Sequence, residues 1–336
     1  MTSGMRTMFR VALLAAAVVG ALSADTSSDT PAQSQAEINK ERAEAAKVQT
    51  LVDRFAPEGW PKPSANTALH ECSAVYARTP AGEPATIFAV YLDTEDADHA
   101  DGGFRVIERD REGNYSARNL SLQSLNLDAL YCSADVETVD RSGTKVLEIS
   151  VSDINPDVAP ASLLVWNGSE LNDIAGDGLI DVDFVNLFGD GTMALVSVEE
   201  VSREEDAPVP VSIYRLRHGR YVFAENAVDS LSFICGARCV VQTYPFTVGD
   251  DSRGPYVLQL GNGDLDGGSR VHAAQIWING KEIAGVAKLN ERVGALTLPI
   301  PELHPGSNTI SGTLARAPGV RVGKLNYAIL DHPLPQ

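Results

Sequence analysis

The segment DFVNLFGDGTMALVSVEE, Asp183 to Glu200, sets a Gly-Asp-Gly turn between two apolar runs. Oxygens around such a turn are the raw material of a calcium loop, because the ion takes about six to eight oxygen ligands and glycine lets the backbone curl around it. Asn186 and Asp190 supply candidate ligands here, Asp140 and Glu148 flank a similar turn at Gly143, and NGDLDGG offers Asp264 and Asp266. The same residues also suit tight hairpin turns that hold glycine at positive backbone angles and bind nothing. The densest acidic run, DTEDADHADGG from Asp93 to Gly103, could ligate a cation together with His99, or could be a hydrated loop.

Other chemistry is thinly represented. The six histidines, His70, His99, His218, His272, His304 and His332, form no H-x-x-x-H or H-E-x-x-H spacing, and G-x-S-x-G, P-loop and G-x-G-x-x-G motifs are absent from the sequence. A triad assembled across loops need not show in sequence. In AAQIWING, Ala274, Ile276 and Ile278 alternate with Gln275 and Trp277, which puts Trp277 on the face opposite the aliphatic set. An outward tryptophan can stack a pyranose ring, and Trp166 is a second candidate for that role; either ring can equally be covered by neighbouring chain.

The elements that would carry these residues begin after an export signal. Residues 1 to 23 join a basic start, Arg6 and Arg10, to the apolar run VALLAAAVVGAL and small residues suited to cleavage. That core is shorter than the roughly 20 residues needed to cross a bilayer. The formal net charge is −18, and removing residues 1 to 23 leaves 25 basic against 45 acidic residues. Such a chain repels nucleic acid and anionic membrane surfaces. Residues 24 to 60 comprise a polar linker and one amphipathic helix, with a capping-box spacing at Ser34 and Glu37 and with Phe55 and Trp60 able to dock on the next domain. Four cysteines, Cys72, Cys132, Cys235 and Cys239, imply disulfides in an oxidising compartment, with three pairings open. Cys72 with Cys132 is favoured because the two bracket one repeat, where a cross-link could contribute about 4 kcal/mol; Cys235 and Cys239 then pair locally.

From residue 61 the texture is all-β. VETVDRSGTKVLEISVSD and VDFVNLFGDGTMALVSVEE share a strand, glycine turn, strand plan in which Gly143 matches Gly189, and each is followed by a second hairpin, within 161–174 and 211–225. An earlier copy occupies 74–93 and 103–116. Each unit is thus about four strands, the size of a propeller blade. The two-hairpin unit with an acidic-glycine turn resembles the FG-GAP or VCBS type of β-propeller repeat, here in three copies within residues 61–245. The resemblance implies calcium ligands in the turn as D-x-D-G-D-G-x-x-D/E. Against that pattern the third copy keeps Asn186 and Asp190 but has Phe188 and Ala194, the second keeps Asp140 and Glu148 around Ser142, Thr144 and Lys145, and the first has Thr79, Ala81, Glu83 and Ile87. Calcium is therefore a minor expectation and no other cofactor is implied.

Residues 246–336 lack the repeat and read as an immunoglobulin-like β-sandwich, with Asn279-Gly280 suited to a type I′ hairpin. They resemble an accessory sandwich found at the ends of bacterial exported proteins. The expectation from sequence is a periplasmic or secreted, non-catalytic binding or scaffold protein with a protein partner. The alternatives are a carbohydrate-binding module using Trp277 and Trp166, with polysaccharide as partner, and a hydrolase with a loop-built site on the repeat domain.

Overall fold

The computed structural model describes residues 35–58, 71–91, 103–120, 131–152, 160–174, 179–180, 182–198, 211–236, 239–250, 254–285, 290 and 292–331. The signal segment, the polar linker, Ser34, Trp60 and the 93–102 acidic run with His99 lie outside them.

One helix, α1 (Gln35–Arg54), precedes strands only. The first unit is an antiparallel meander of β1 (Glu71–Arg78), β2 (Pro84–Tyr91), β3 (Gly103–Arg109) and β4 (Tyr115–Leu120). The second repeats that order with β5 (Tyr131–Thr138), β6 (Lys145–Ser152), β7 (Pro160–Trp166) and β8 (Leu171–Asp173), and the short β9 (Leu179–Ile180) also pairs with β7. The third is β10 (Val182–Val185), β11 (Ala194–Val198), β12 (Val211–Arg217) and β13 (Arg220–Cys235).

These units stack face to face because their strands are apolar on both sides, as a sheet buried between two neighbours requires. Phe88, Val90, Phe104 and Val106 of the first unit share a core with Leu147, Ile149 and Leu164 of the second. On the other face of the second unit, Val139, Val146 and Leu163 pack on Val182, Phe184 and Leu195 of the third. The outer face of the first unit, with Ile87, Ala89, Tyr91 and Ile107, is covered by Leu51 and Val52 of α1. Tyr91 fastens the helix by donating its hydroxyl to the Val52 carbonyl at 2.8 Å, and Arg105 donates to the Phe55 carbonyl. Phe55 therefore docks as the sequence suggests. Among the described residues there are three stacked units and a helical cap.

The third unit does not end as a separate sheet. The first half of β13 pairs with β12 and its second half pairs with β20 (Gly323–Leu330), which continues to β15 (Tyr256–Asn262) and β18 (Ala295–Ile300), making a seven-stranded sheet. A second sheet, in the order β14 (Gln242–Val248), β19 (Gly306–Arg316), β16 (Val271–Ile278), β17 (Lys281–Ala284), packs on that C-terminal half through Phe233, Phe246, Leu258, Ile276, Ile310 and Tyr327. The division expected between residues 245 and 246 falls inside β14, and one strand spans both regions, so the repeat and the C-terminal layers are continuous. Asn279 (φ 50°) and Gly280 (φ 76°) turn the β16–β17 hairpin as a type I′ pair should.

The seven-stranded sheet curls until its first strand meets its far side. Val185, Leu187 and Val196 share a core with Ala328 and Leu330, with Val257 packed against it. The seam is closed by hydrogen bonds to backbone: Gln259 Nε2 to Leu187 O at 2.9 Å, Asn326 Nδ2 to Asn186 O at 3.1 Å, and Asn186 Nδ2 to Gly263 O at 3.0 Å. The disulfides are Cys72–Cys132, which ties β1 to β5, and Cys235–Cys239. Among the described residues no helix is long and apolar enough to cross a membrane.

Candidate functional site

The acidic-glycine turns have a structural occupation. Asp140 Oδ1 accepts from Ser142 Oγ at 2.6 Å and from the Thr144 amide at 3.0 Å, and its Oδ2 accepts from Thr144 Oγ1 at 2.7 Å. Asp190 Oδ1 accepts from the amide and the hydroxyl of Thr192, while Oδ2 meets Arg215 Nη2 at 2.8 Å. The two turns also join each other, through an Asp140–Thr192 bridge and a 3.1 Å bond from the Arg141 amide to Gly191 O. Hydroxyls and amides of the loop thus occupy the oxygens that a calcium loop would present, and Gly143 (φ 88°) and Gly191 (φ 92°) make the turns geometrically possible.

Burial pushes the Asp140 carboxyl up, but the Ser142 and Thr144 hydrogen bonds outweigh it and hold the group below the ordinary aspartate value of 3.8. Asp190 is likewise pushed up by burial and brought below that value by Thr192 and Arg215. A carboxylate stabilised in the folded state contributes stability above its ordinary pKa, and that contribution is lost as pH falls through the depressed folded value. Asp140→Ala is therefore expected to destabilise the protein by about 1–2 kcal/mol at pH 7. The loss should shrink below pH 3, as urea midpoints at the two pH values would reveal.

The other cation candidates are dispersed. Asn186 is buried in the seam, Asp264 accepts from the Ser269 hydroxyl, and Asp266 Oδ1 accepts from the Gly268 amide at 2.6 Å. Glu148, 6% exposed, lies directly across the ladder from Asp135 rather than beside Asp140. Among the described residues no group of three or more His, Cys, Asp or Glu is arranged to hold a metal ion. Trp166 packs edge-on against Phe88 between the first two units, and the Arg118 guanidinium lies 4.7 Å over its ring. Arg118 thus occupies one face of that ring. Trp277 does face outward and is half-buried, while Ile276 and Ile278 are in the core.

The structure gathers a set of residues that the sequence does not mark. On β5, Cys132, Ala134 and Val136 face the first unit, so period-two alternation turns Asp135 and Glu137 to the other side with Val139, toward the third unit. Asp183 comes from β10, the corresponding first strand of the third unit. Asp264 and Lys324 arrive from the C-terminal half: Asn186, three residues beyond Asp183, donates to the carbonyls of Gly263 and Asp264. The Gly263 amide in turn bonds Lys324 O at 2.9 Å, and the Lys324 amide bonds Ser269 O at 2.7 Å. Four elements, β5, β10, the loop after β15 and β20, thus bring Asp183, Asp264 and Lys324 within reach of the Glu137 charge. Glu137 is an exposed residue, and partial burial of its carboxyl still raises it above the ordinary 4.5; the charges of Asp135, Asp183 and Asp264 raise it further, and Lys324 partly opposes them. A carboxyl raised above its ordinary value beside further carboxyls is a pairing that general acid–base chemistry can use. The trace of this in the sequence is the alternating D-V-E of residues 135–137 within the strand YCSADVET.

No family model and no curated protein matches the chain. Among solved structures, an exo-β-1,3-galactanase from Phanerochaete chrysosporium with β-1,3-galactotriose aligns over 73% of this chain and 78% of its own, at 12% identity and a TM-score of 0.21. A glycoside hydrolase family 43 arabinoxylan arabinofuranohydrolase from Bacillus subtilis, in complex with cellotetraose, aligns over 79% of this chain and 95% of its own, at 7% identity and a TM-score of 0.19. At such scores the overall arrangements differ. The expected non-catalytic binding or scaffold role is set aside: it rested on there being no chemical constellation in the sequence, and the fold places charged groups from distant parts of the chain around Glu137.

Proposed function

We propose that the protein is a hydrolase of glycosidic bonds whose reacting groups are Glu137 of β5 and Asp183 of β10, with Asp264 and Lys324 beside them. The observation that carries this reading is the raised Glu137 carboxyl, which Asp183, Asp264 and Lys324 reach from three other elements. Glu137 serves as the general acid. Its carboxyl proton passes to the oxygen that leaves the anomeric carbon, while Asp183 takes a proton from the water whose oxygen bonds that carbon. Each group then returns to its starting state by proton exchange with solvent. The raised Glu137 supports this division of labour, since an acid must still hold its proton where its partner is ionised. Lys324 limits the repulsion among Glu137, Asp183 and Asp264.

The setting belongs to the same proposal. The signal-like N-terminus and the two disulfides support a periplasmic or secreted protein. The three stacked meanders support reading the units as FG-GAP or VCBS-type blades, and the two C-terminal layers support an immunoglobulin-like sandwich.

The test is to incubate the protein, cleaved after the signal, with aryl glycosides and with neutral polysaccharides, and to measure aryl release and new reducing ends. Hydrolysis of at least one glycoside is expected. No hydrolysis of any between pH 4 and 8 would overturn the proposal.

A further inference from the structure

We propose that the outward face of the β14-β19-β16-β17 sheet is a docking surface for a neutral polysaccharide, separate from the Glu137 site and independent of it. The inward positions of this sheet are filled by Phe246, Val248, Ile276, Ile278, Ile310 and Leu314, all buried. Period-two alternation therefore turns the intervening residues to solvent. The ladder fixes their neighbours: Thr243 lies across from Ser311, Ser311 across from Trp277, and Gln275 across from Thr313. Thr243 and Ser311 share a 2.9 Å hydrogen bond between hydroxyls, and Trp277, half-buried, comes next in that row, directly across from Glu282 of β17.

Three features select the occupant. The row through Trp277 meets no charge until Glu282 on the edge strand β17, in a chain whose formal net charge is −18. With no lysine or arginine among these outward positions of the central strands, a polyanion would meet only the repulsion of the whole molecule. Neighbouring strands stand about 4.8 Å apart, so hydroxyls from β14 and β19 and the Trp277 ring form a flat strip roughly 10 Å wide. Such a strip offers donors and acceptors to sugar hydroxyls and one ring to a pyranose face. A protein partner is disfavoured because interface energy concentrates in clustered aromatic and arginine anchors, and this face has one aromatic ring.

The test is depletion of the full mature chain from solution by insoluble or gel-immobilised polysaccharides, some neutral (β-glucan, xylan, galactan) and some anionic (pectate). Retention by at least one neutral polymer is expected, with little loss when salt is raised. Trp277→Ala should weaken it at least tenfold while the melting temperature and any hydrolysis of small aryl glycosides stay as in the parent. Thr313→Glu, which sets a charge opposite Gln275, should weaken it as well. The proposal is overturned if no neutral polymer retains the parent, if both variants bind like the parent, or if pectate alone is bound and salt removes it.

Discussion

Gly261→Ala is expected to destabilise the protein by about 3–5 kcal/mol, or to prevent folding, although it adds a single methyl group. A Cβ at this position would stand 1.7 Å from the Asn186 carbonyl oxygen and 2.7 Å from Leu187 Cα. These are backbone atoms, so no side-chain rotation relieves the clash. They are also anchored: Asn326 Nδ2 donates to that oxygen, and Gln259 Nε2 donates to Leu187 O. Moving the strand end away breaks buried hydrogen bonds at about 1–3 kcal/mol for each group left unsatisfied. The same movement opens the seam that carries Asp264 toward Glu137, so any hydrolysis should fall with stability. Urea unfolding of parent and variant measures the first effect, and a difference below about 1 kcal/mol would mean that the curled sheet does not close as described.

Glu137→Gln is expected to reduce glycoside hydrolysis by at least about a hundredfold, the usual contribution of a positioned general acid. Its effect on stability should have the opposite sign. A carboxyl whose folded value lies above the ordinary 4.5 binds its proton more tightly in the folded state. The stability it contributes is present below 4.5 and is lost as pH rises through the folded value. Glutamine does not titrate, so the variant should match the parent near pH 4 and equal or exceed it near pH 8. Denaturant midpoints at those two values make the comparison. Loss of activity without loss of stability separates a chemical role from a structural one, and a variant that keeps half the parent rate removes Glu137 from the mechanism.

Much of the local structure was legible because it is written in short-range pattern. The hairpins around Gly143 and Gly189, the type I′ pair Asn279-Gly280 and the outward set of Trp277 follow from turn chemistry and period-two alternation, which need no knowledge of distant contacts. The Cys72–Cys132 pairing followed from the repeat itself. The way the units meet was not legible. Nothing local shows that β13 is long enough to serve two neighbours, or that Gly261 is small because Asn186 crosses it from 75 positions away. The site was hidden for the same reason. Glu137, Asp183, Asp264 and Lys324 are spread along the chain, and only the curl of the sheet and the stacking of the second unit on the third bring them together. Asp140 and Asp190 are legible as weak cation candidates or as turn residues, and their carboxylates hold the turns. Trp166 looked available as well, and the Arg118 contact across two units is what covers one face of it.

The central claim is that a proton held on Glu137 drives hydrolysis at this site. Its most direct test is the rate of glycoside hydrolysis against pH for the parent beside Glu137→Gln, on the best substrate from the aryl glycoside and polysaccharide panel. The account predicts a rate that falls on the alkaline side through a pKa above the ordinary glutamate value in the parent, and no rate above the uncatalysed background in the variant. Equal rates in the two proteins, or a parent profile without that alkaline limb, would contradict it.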